Sequence, residues 1–99
     1  MVFNNFGVPG TVYTTADKLI ANGQPIRVFG VHEIYGAGAV GSVLRNGQDA
    51  TGTIYVQLTA TDSTGVSTHF NEGMLFPDGC FYDEGTSVTS AAIICHAEA

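Results

Sequence analysis

T-I-Y-V-Q-L-T-A-T, residues Thr53 to Thr61, decides the class of this chain. Apolar and polar side chains alternate there with a period of two, the spacing that sends successive residues to opposite faces of a strand. Ile54, Val56, Leu58 and Ala60 are expected inward; Thr53, Tyr55, Gln57, Thr59 and Thr61 are expected outward. One dry face and one wet face is the pattern of an antiparallel sheet. Asp62-Ser63-Thr64-Gly65 then reads as a turn, and Val66 to Phe70 as the return strand.

The same punctuation continues in both directions. Upstream, Thr11 to Thr15 is β-branched and aromatic, and Ala16 to Ala21 reads as strand more than as a helical turn. Asn22-Gly23 between extended runs is the strongest short hairpin signal. Gln24 to Tyr35 is the longest extended stretch, with Ile26, Val28, His32 and Ile34 expected on one face and Arg27, Phe29, Val31, Glu33 and Tyr35 on the other. Gly30 marks a bulge or kink in its middle. Gly36 to Gly41 lacks the spacing and the following helix of a phosphate loop, so it reads as a glycine-rich turn before a strand at Ser42 to Arg45. Downstream, Asn71-Glu72-Gly73 breaks the run. Pro77-Asp78-Gly79 is a strong turn, Cys80 to Tyr82 a short strand, and Ser87 to His96 the last one. In that last strand Val88, Ala92 and Ile94 face one way, and Ala91, Ile93 and Cys95 the other.

Seven to eight short strands at this spacing predict a single all-β domain, an antiparallel β-sandwich or jelly roll spanning residues 11–99. Residues 1–10, M-V-F-N-N-F-G-V-P-G, show no period and read as an extended apolar arm. Composition agrees: 13 Gly, 11 Thr and one Lys suit strands and turns and leave little material for amphipathic helices. A chain of 99 residues is about one domain and buries about 64% of its unfolded surface, enough for a core with little surplus.

Charge narrows the function classes. Nine acidic residues against three basic ones give a net charge of −6. Lys18, Arg27 and Arg45 are the only permanent cations, too few to neutralise a row of phosphates, so nucleic acid is not an expected partner. An anionic membrane surface is disfavoured for the same reason. No apolar run approaches the length of a membrane-spanning helix, and the first residues lack a signal's basic and apolar regions, so neither feature is expected. Cys80 and Cys95 are the only cysteines; they read as free, buried thiols more than as a disulfide framework, although a bridge between them is open.

Chemistry is sparse. His32, His69 and His96 could meet only through the fold, and they read as scattered side chains and not a metal site. No nucleophile elbow or cysteine-protease signature occurs, so no enzymatic activity and no cofactor are expected. Asp49, Asp62, Asp78, Asp83 and Glu84 lie in expected loops, where calcium finds its oxygens, but in no calcium-loop pattern. Tyr13, Tyr35, Tyr55 and Tyr82 are expected to be exposed and could stack on sugars, though cross-strand packing is their commoner use.

From Val40 to Tyr82 the order of motifs has a recurring look. Leu44-Arg45-Asn46-Gly47 meets Thr51-Gly52, then the strand Thr53 to Leu58, then G-M-L-F-P-D-G-C-F-Y over Gly73 to Tyr82, and a final Val/Thr/Ser strand. This resembles the small all-β virion proteins encoded among the structural genes of tailed bacteriophages, many of which are capsid decoration (cement) or head–tail accessory proteins. The resemblance implies a non-enzymatic protein on the outer capsid surface. It would bind the major capsid protein, self-associate as a homotrimer and assemble in the host cytoplasm. It transfers no functional residue. The acidic balance fits the outside of a DNA-filled shell, and the arm offers Phe3, Phe6, Val8 and Pro9 as contacts to a neighbour. A carbohydrate-binding or host-adhesion module, and a head–tail connector, are the alternative readings.

Overall fold

A computed structural model describes residues 10–20 and 23–97 of the chain. Eight strands form: β1 (Gly10–Thr14), β2 (Lys18–Ile20), β3 (Ile26–Val40), β4 (Val43–Asn46), β5 (Thr53–Gln57), β6 (Gly65–Phe76), β7 (Cys80–Asp83) and β8 (Thr86–Ala97). They make two four-stranded sheets, ordered β1-β8-β3-β6 and β2-β7-β4-β5, with every pairing antiparallel. This interleaved order is that of a jelly roll. The chain changes sheets at each connection except β4–β5, the one hairpin within a sheet.

Several expectations shift in instructive ways. The hairpin expected at Asn22-Gly23 does not form, because β2 and β3 belong to different sheets and Gly23 (φ 66°) lies on the connection between them; Asn22 itself lies outside the described residues. Gly36 to Gly41 is no separate turn; β3 runs on to Val40, with Gly36 to Ala39 looped out between the Tyr35–Val88 and Val40–Thr86 pairs. The break at Asn71-Glu72-Gly73 is a bulge within β6, where left-handed Glu72 and Gly73 push surplus chain out opposite Phe29. β1 begins at Gly10, the last residue of the expected arm. Residues 1–9, and with them Phe3, Phe6, Val8 and Pro9, lie outside the described residues.

The bulges also reassign faces. Pairing on β3 slips between Val28 and Gly30. Before the slip Ile26 and Val28 share the buried face, as their spacing predicts; after it Val31, Glu33 and Tyr35 are buried, and His32 and Ile34, expected on the face of Ile26 and Val28, are exposed. One extra residue reverses the alternation for the rest of the strand. β5 behaves similarly, through a register shift between Leu44 and Arg45. It ends at Gln57, leaves Ile54 50% exposed, and lays Tyr55 against the buried Phe76 with ring centroids 5.2 Å apart. In β8, where the slip against β3 loops out Phe29 on the β3 side and leaves β8's own alternation unbroken, Ala91, Ile93 and Cys95 are buried as their spacing predicts.

The core lies between the sheets: Val12, Ile20, Ile26, Val28, Val31, Leu44, Leu58, Phe76, Cys80, Tyr82, Ala91, Ile93 and Cys95. Both cysteines are free and buried. The folded chain exposes 5045 Å², close to the roughly 5,300 Å² that surface scaling gives for its mass.

Candidate functional site

The densest polar constellation among the described residues is inside the sandwich. Glu33 is 1% exposed, and the slip at Gly30 is what turns it inward from the first sheet. Its carboxylate accepts hydrogen bonds from the hydroxyls of Tyr35, on the same strand, and Tyr82, on β7 of the opposite sheet. The Ser42 hydroxyl, from the short β3–β4 link, donates to the same carboxylate at 2.5 Å. Ser42 and Tyr82 hydroxyl oxygens lie 3.0 Å apart, and each has one proton, which goes to Glu33. Ser42 Oγ in turn accepts the Gly85 backbone N–H at 2.8 Å.

Three hydroxyls therefore do for Glu33 what water or a cation would do outside. A buried charge needs such partners, since an unpaired carboxylate in an apolar interior costs several kcal/mol. Burial, and then the Glu33 hydrogen bond, push the Tyr35 and Tyr82 hydroxyls well above the usual phenol range, so both stay protonated as donors. The arrangement spans both sheets and two links, and all four side chains are nearly or wholly closed to solvent. A serine beside a carboxylate could suggest nucleophilic chemistry. Here Ser42 has no histidine beside it, and its lone pair faces the Gly85 N–H, so the cluster is built as a lock.

The links around this lock are tightly tied. Glu84 N–H donates to Asp17 Oδ1 at 2.8 Å, Ala39 N–H to Asp62 Oδ1 at 2.9 Å, and Ser63 N–H to the Gly36 carbonyl at 3.0 Å. A Cβ on Gly41 would overlap the Leu58 carbonyl, and one on Gly85 the Val40 carbonyl, so backbone crosses backbone at both places. That close approach is what the glycine-rich segment provides. Glu84 is the strained member: its Oε2 is buried without a hydrogen-bond partner, and its carboxyl is pushed up by burial, by Asp17 and by Glu33.

The residues singled out from sequence are dispersed. His32 and His69 are exposed on the outer side of the first sheet, with His32 Nδ1 2.6 Å from Ser67 Oγ and His69 beside Gly30. His96 stacks on Phe29 with ring centroids 5.0 Å apart. No group of three or more His, Cys, Asp or Glu among the described residues is placed to hold a metal ion. Four of the five acidic residues expected in loops accept hydrogen bonds from separate partners, and Asp83 is the last residue of β7. Asp49 accepts from Thr51, which lowers its pKa; Asp78 and Asn46 bond reciprocally; Asp83 pairs with Arg45 at 2.9 Å. Of the four tyrosines expected outside, Tyr13 (77% exposed) and Tyr55 (41%) are, but Tyr35 and Tyr82 are the buried partners of Glu33. The pairing of Glu33 with Tyr35 two residues on was visible in the sequence; that both face inward depends on the bulge.

Compared with protein families, with curated proteins and with solved structures, the chain matches none.

Proposed function

We propose that this chain is a non-enzymatic structural protein of a tailed-bacteriophage virion, of the capsid decoration (cement) type. In this reading it binds the outer shell through the major capsid protein and staples adjacent subunits, self-associating as a homotrimer. The observation that carries the reading is the division of labour in the sandwich. The most concentrated polar chemistry is locked inside around Glu33, while charge is sparse and Tyr13, Ile34, Val40, Ile54, Tyr55 and Leu75 are exposed for contact. The jelly-roll order adds support by analogy, because capsid and lectin domains use that architecture, although a fold by itself does not assign a role. Single apolar side chains on a surface are ordinary; here they coincide with a low charge density. Phe3, Phe6, Val8 and Pro9 are proposed to add contacts from the N-terminal arm.

The experiment is reconstitution. Purified chain is mixed with phage shells that lack it, and bound copies per particle and the heat resistance of the shell are measured. The proposal expects saturable binding at hundreds of copies, a raised shell melting temperature, and weaker retention after deletion of residues 1–10. Absence of binding, or only six or twelve copies at one vertex, sinks the decoration reading.

A further inference from the structure

We propose that Cys80 and Cys95 form an intramolecular disulfide that ties the two sheets together when the chain meets a disulfide oxidant. The inference does not rest on the virion reading. Cys80 is the first residue of β7, in the second sheet, and Cys95 lies near the end of β8, in the first. Both are 0% exposed and belong to one apolar core.

Strand register sets their height in the sandwich. β6 leaves the first sheet at Phe76, which pairs with Ile26, and Ile26 pairs on its other side with Ala97. Cys95 is two residues in from Ala97, beside Val28. Cys80 enters the second sheet directly after the Pro77-Asp78-Gly79 turn, beside Ile20 and Asn46. The two thiols thus face the interior from opposite sheets, in the layer just inside the β6–β7 crossing. Burial first, and then Cys95, push the Cys80 thiol up to about 12. Burial alone pushes Cys95 up to about 12.

Thiols held protonated and out of water react slowly in the folded state, so the bond forms during folding or on local opening. With oxidised glutathione, one cysteine thiolate attacks the glutathione disulfide and expels one glutathione thiolate. The second cysteine thiolate then attacks the protein sulfur of the mixed disulfide and expels the other. Two electrons pass from the cysteines to glutathione, and the two thiol protons go to the departing thiolates. The product closes the chain between residues 80 and 95 and joins the sheets covalently, which restricts the unfolded state.

The test uses the full chain, unfolded and refolded in a buffer of reduced and oxidised glutathione, and the never-oxidised chain beside it. The expected product is a monomer lighter by two hydrogen atoms on intact-mass spectrometry. Its fragments bearing Cys80 and Cys95 stay joined until reductant is added, and its thermal midpoint lies above that of the reduced chain. Cys80→Ala, folded by circular dichroism, is expected to gain no stability from the oxidant. A refolded chain that keeps both thiols, carries glutathione on them, or links to a second chain overturns the proposal. An oxidised monomer that melts below the reduced one overturns it too, because a strained bridge is not one the fold is built to accept.

Discussion

The two ends of the sandwich solve the same problem by opposite means. At one end, where β2–β3, β4–β5 and β6–β7 connect, the interior is filled by Ile20, Ile26, Val28, Phe76, Cys80 and Cys95, all fully buried. At the other, where β1–β2, β3–β4, β5–β6 and β7–β8 connect, the interior is filled by Glu33, Ser42, Tyr35 and Tyr82, joined through one carboxylate. Apolar packing is non-directional and tolerates a range of side chains of similar volume. A buried carboxylate with three hydroxyl donors is directional, and it brings β3, β7 and two links into one arrangement. The first end supplies stability, and the second supplies a unique way to join the sheets.

Substitutions at each end would test that contrast. The largest loss is expected from Phe76→Ala, which empties the middle of the apolar end and releases Tyr55 from its ring contact; a cost of about 3–5 kcal/mol is expected by urea denaturation. Tyr82→Phe keeps the ring and removes one donor from Glu33, so about 1.5–3 kcal/mol should be lost. Glu33→Gln alone, and combined with Tyr82→Phe, should give losses that do not add, because both act on one network. Additive losses would mean that the hydroxyls act independently and that the polar end is not a lock.

A smaller effect should come from Glu84, and it depends on pH. Its carboxyl is raised by burial, Asp17 and Glu33, so the folded chain holds this proton more tightly than the unfolded chain. The contribution is therefore fully present below the ordinary carboxylate range and is lost as pH rises through the raised value. Glu84→Gln should raise the melting temperature at neutral pH and leave it nearly unchanged in acid, and a difference curve between the two proteins isolates the effect. The smallest change is expected for Arg45→Met, which gives up the partly exposed ion pair with Asp83 and the bond to the Gly52 carbonyl; a loss of about 0–1 kcal/mol would place it among ordinary surface pairs.

The apolar end was largely legible in the sequence. Ile26 and Val28 precede the bulge, β8 alternates plainly through Ala91, Ile93 and Cys95, and Pro77-Asp78-Gly79 announces its own turn. The polar end was not. Glu33 and Tyr35 were placed on the face opposite Ile26 and Val28, and Tyr82 outside, because a period of two carries no record of a slipped register. The stretch that settles the fold class shows the same limit: Thr53 to Thr61 correctly indicates a strand, yet Ile54 is half exposed and Tyr55 leans inward onto Phe76. Gly30 was the local hint, since a glycine within a strand marks a bulge, but it does not say how far the faces beyond it turn.

What the sequence by itself determined is the all-β class, the eight or so strands, most of the turns, the burial of two free thiols and the scarcity of charge. Each follows from side chains acting over a few residues: β-branched runs, alternation, and Asn, Asp, Gly and Pro at bends. Only the tertiary structure decided the jelly-roll order, the faces of β3 and β5, and the meeting of Glu33 with Tyr35, Ser42 and Tyr82. Those depend on which distant strand supplies the hydrogen bonds opposite each residue. One looped-out residue is enough to exchange inside for outside along everything that follows it.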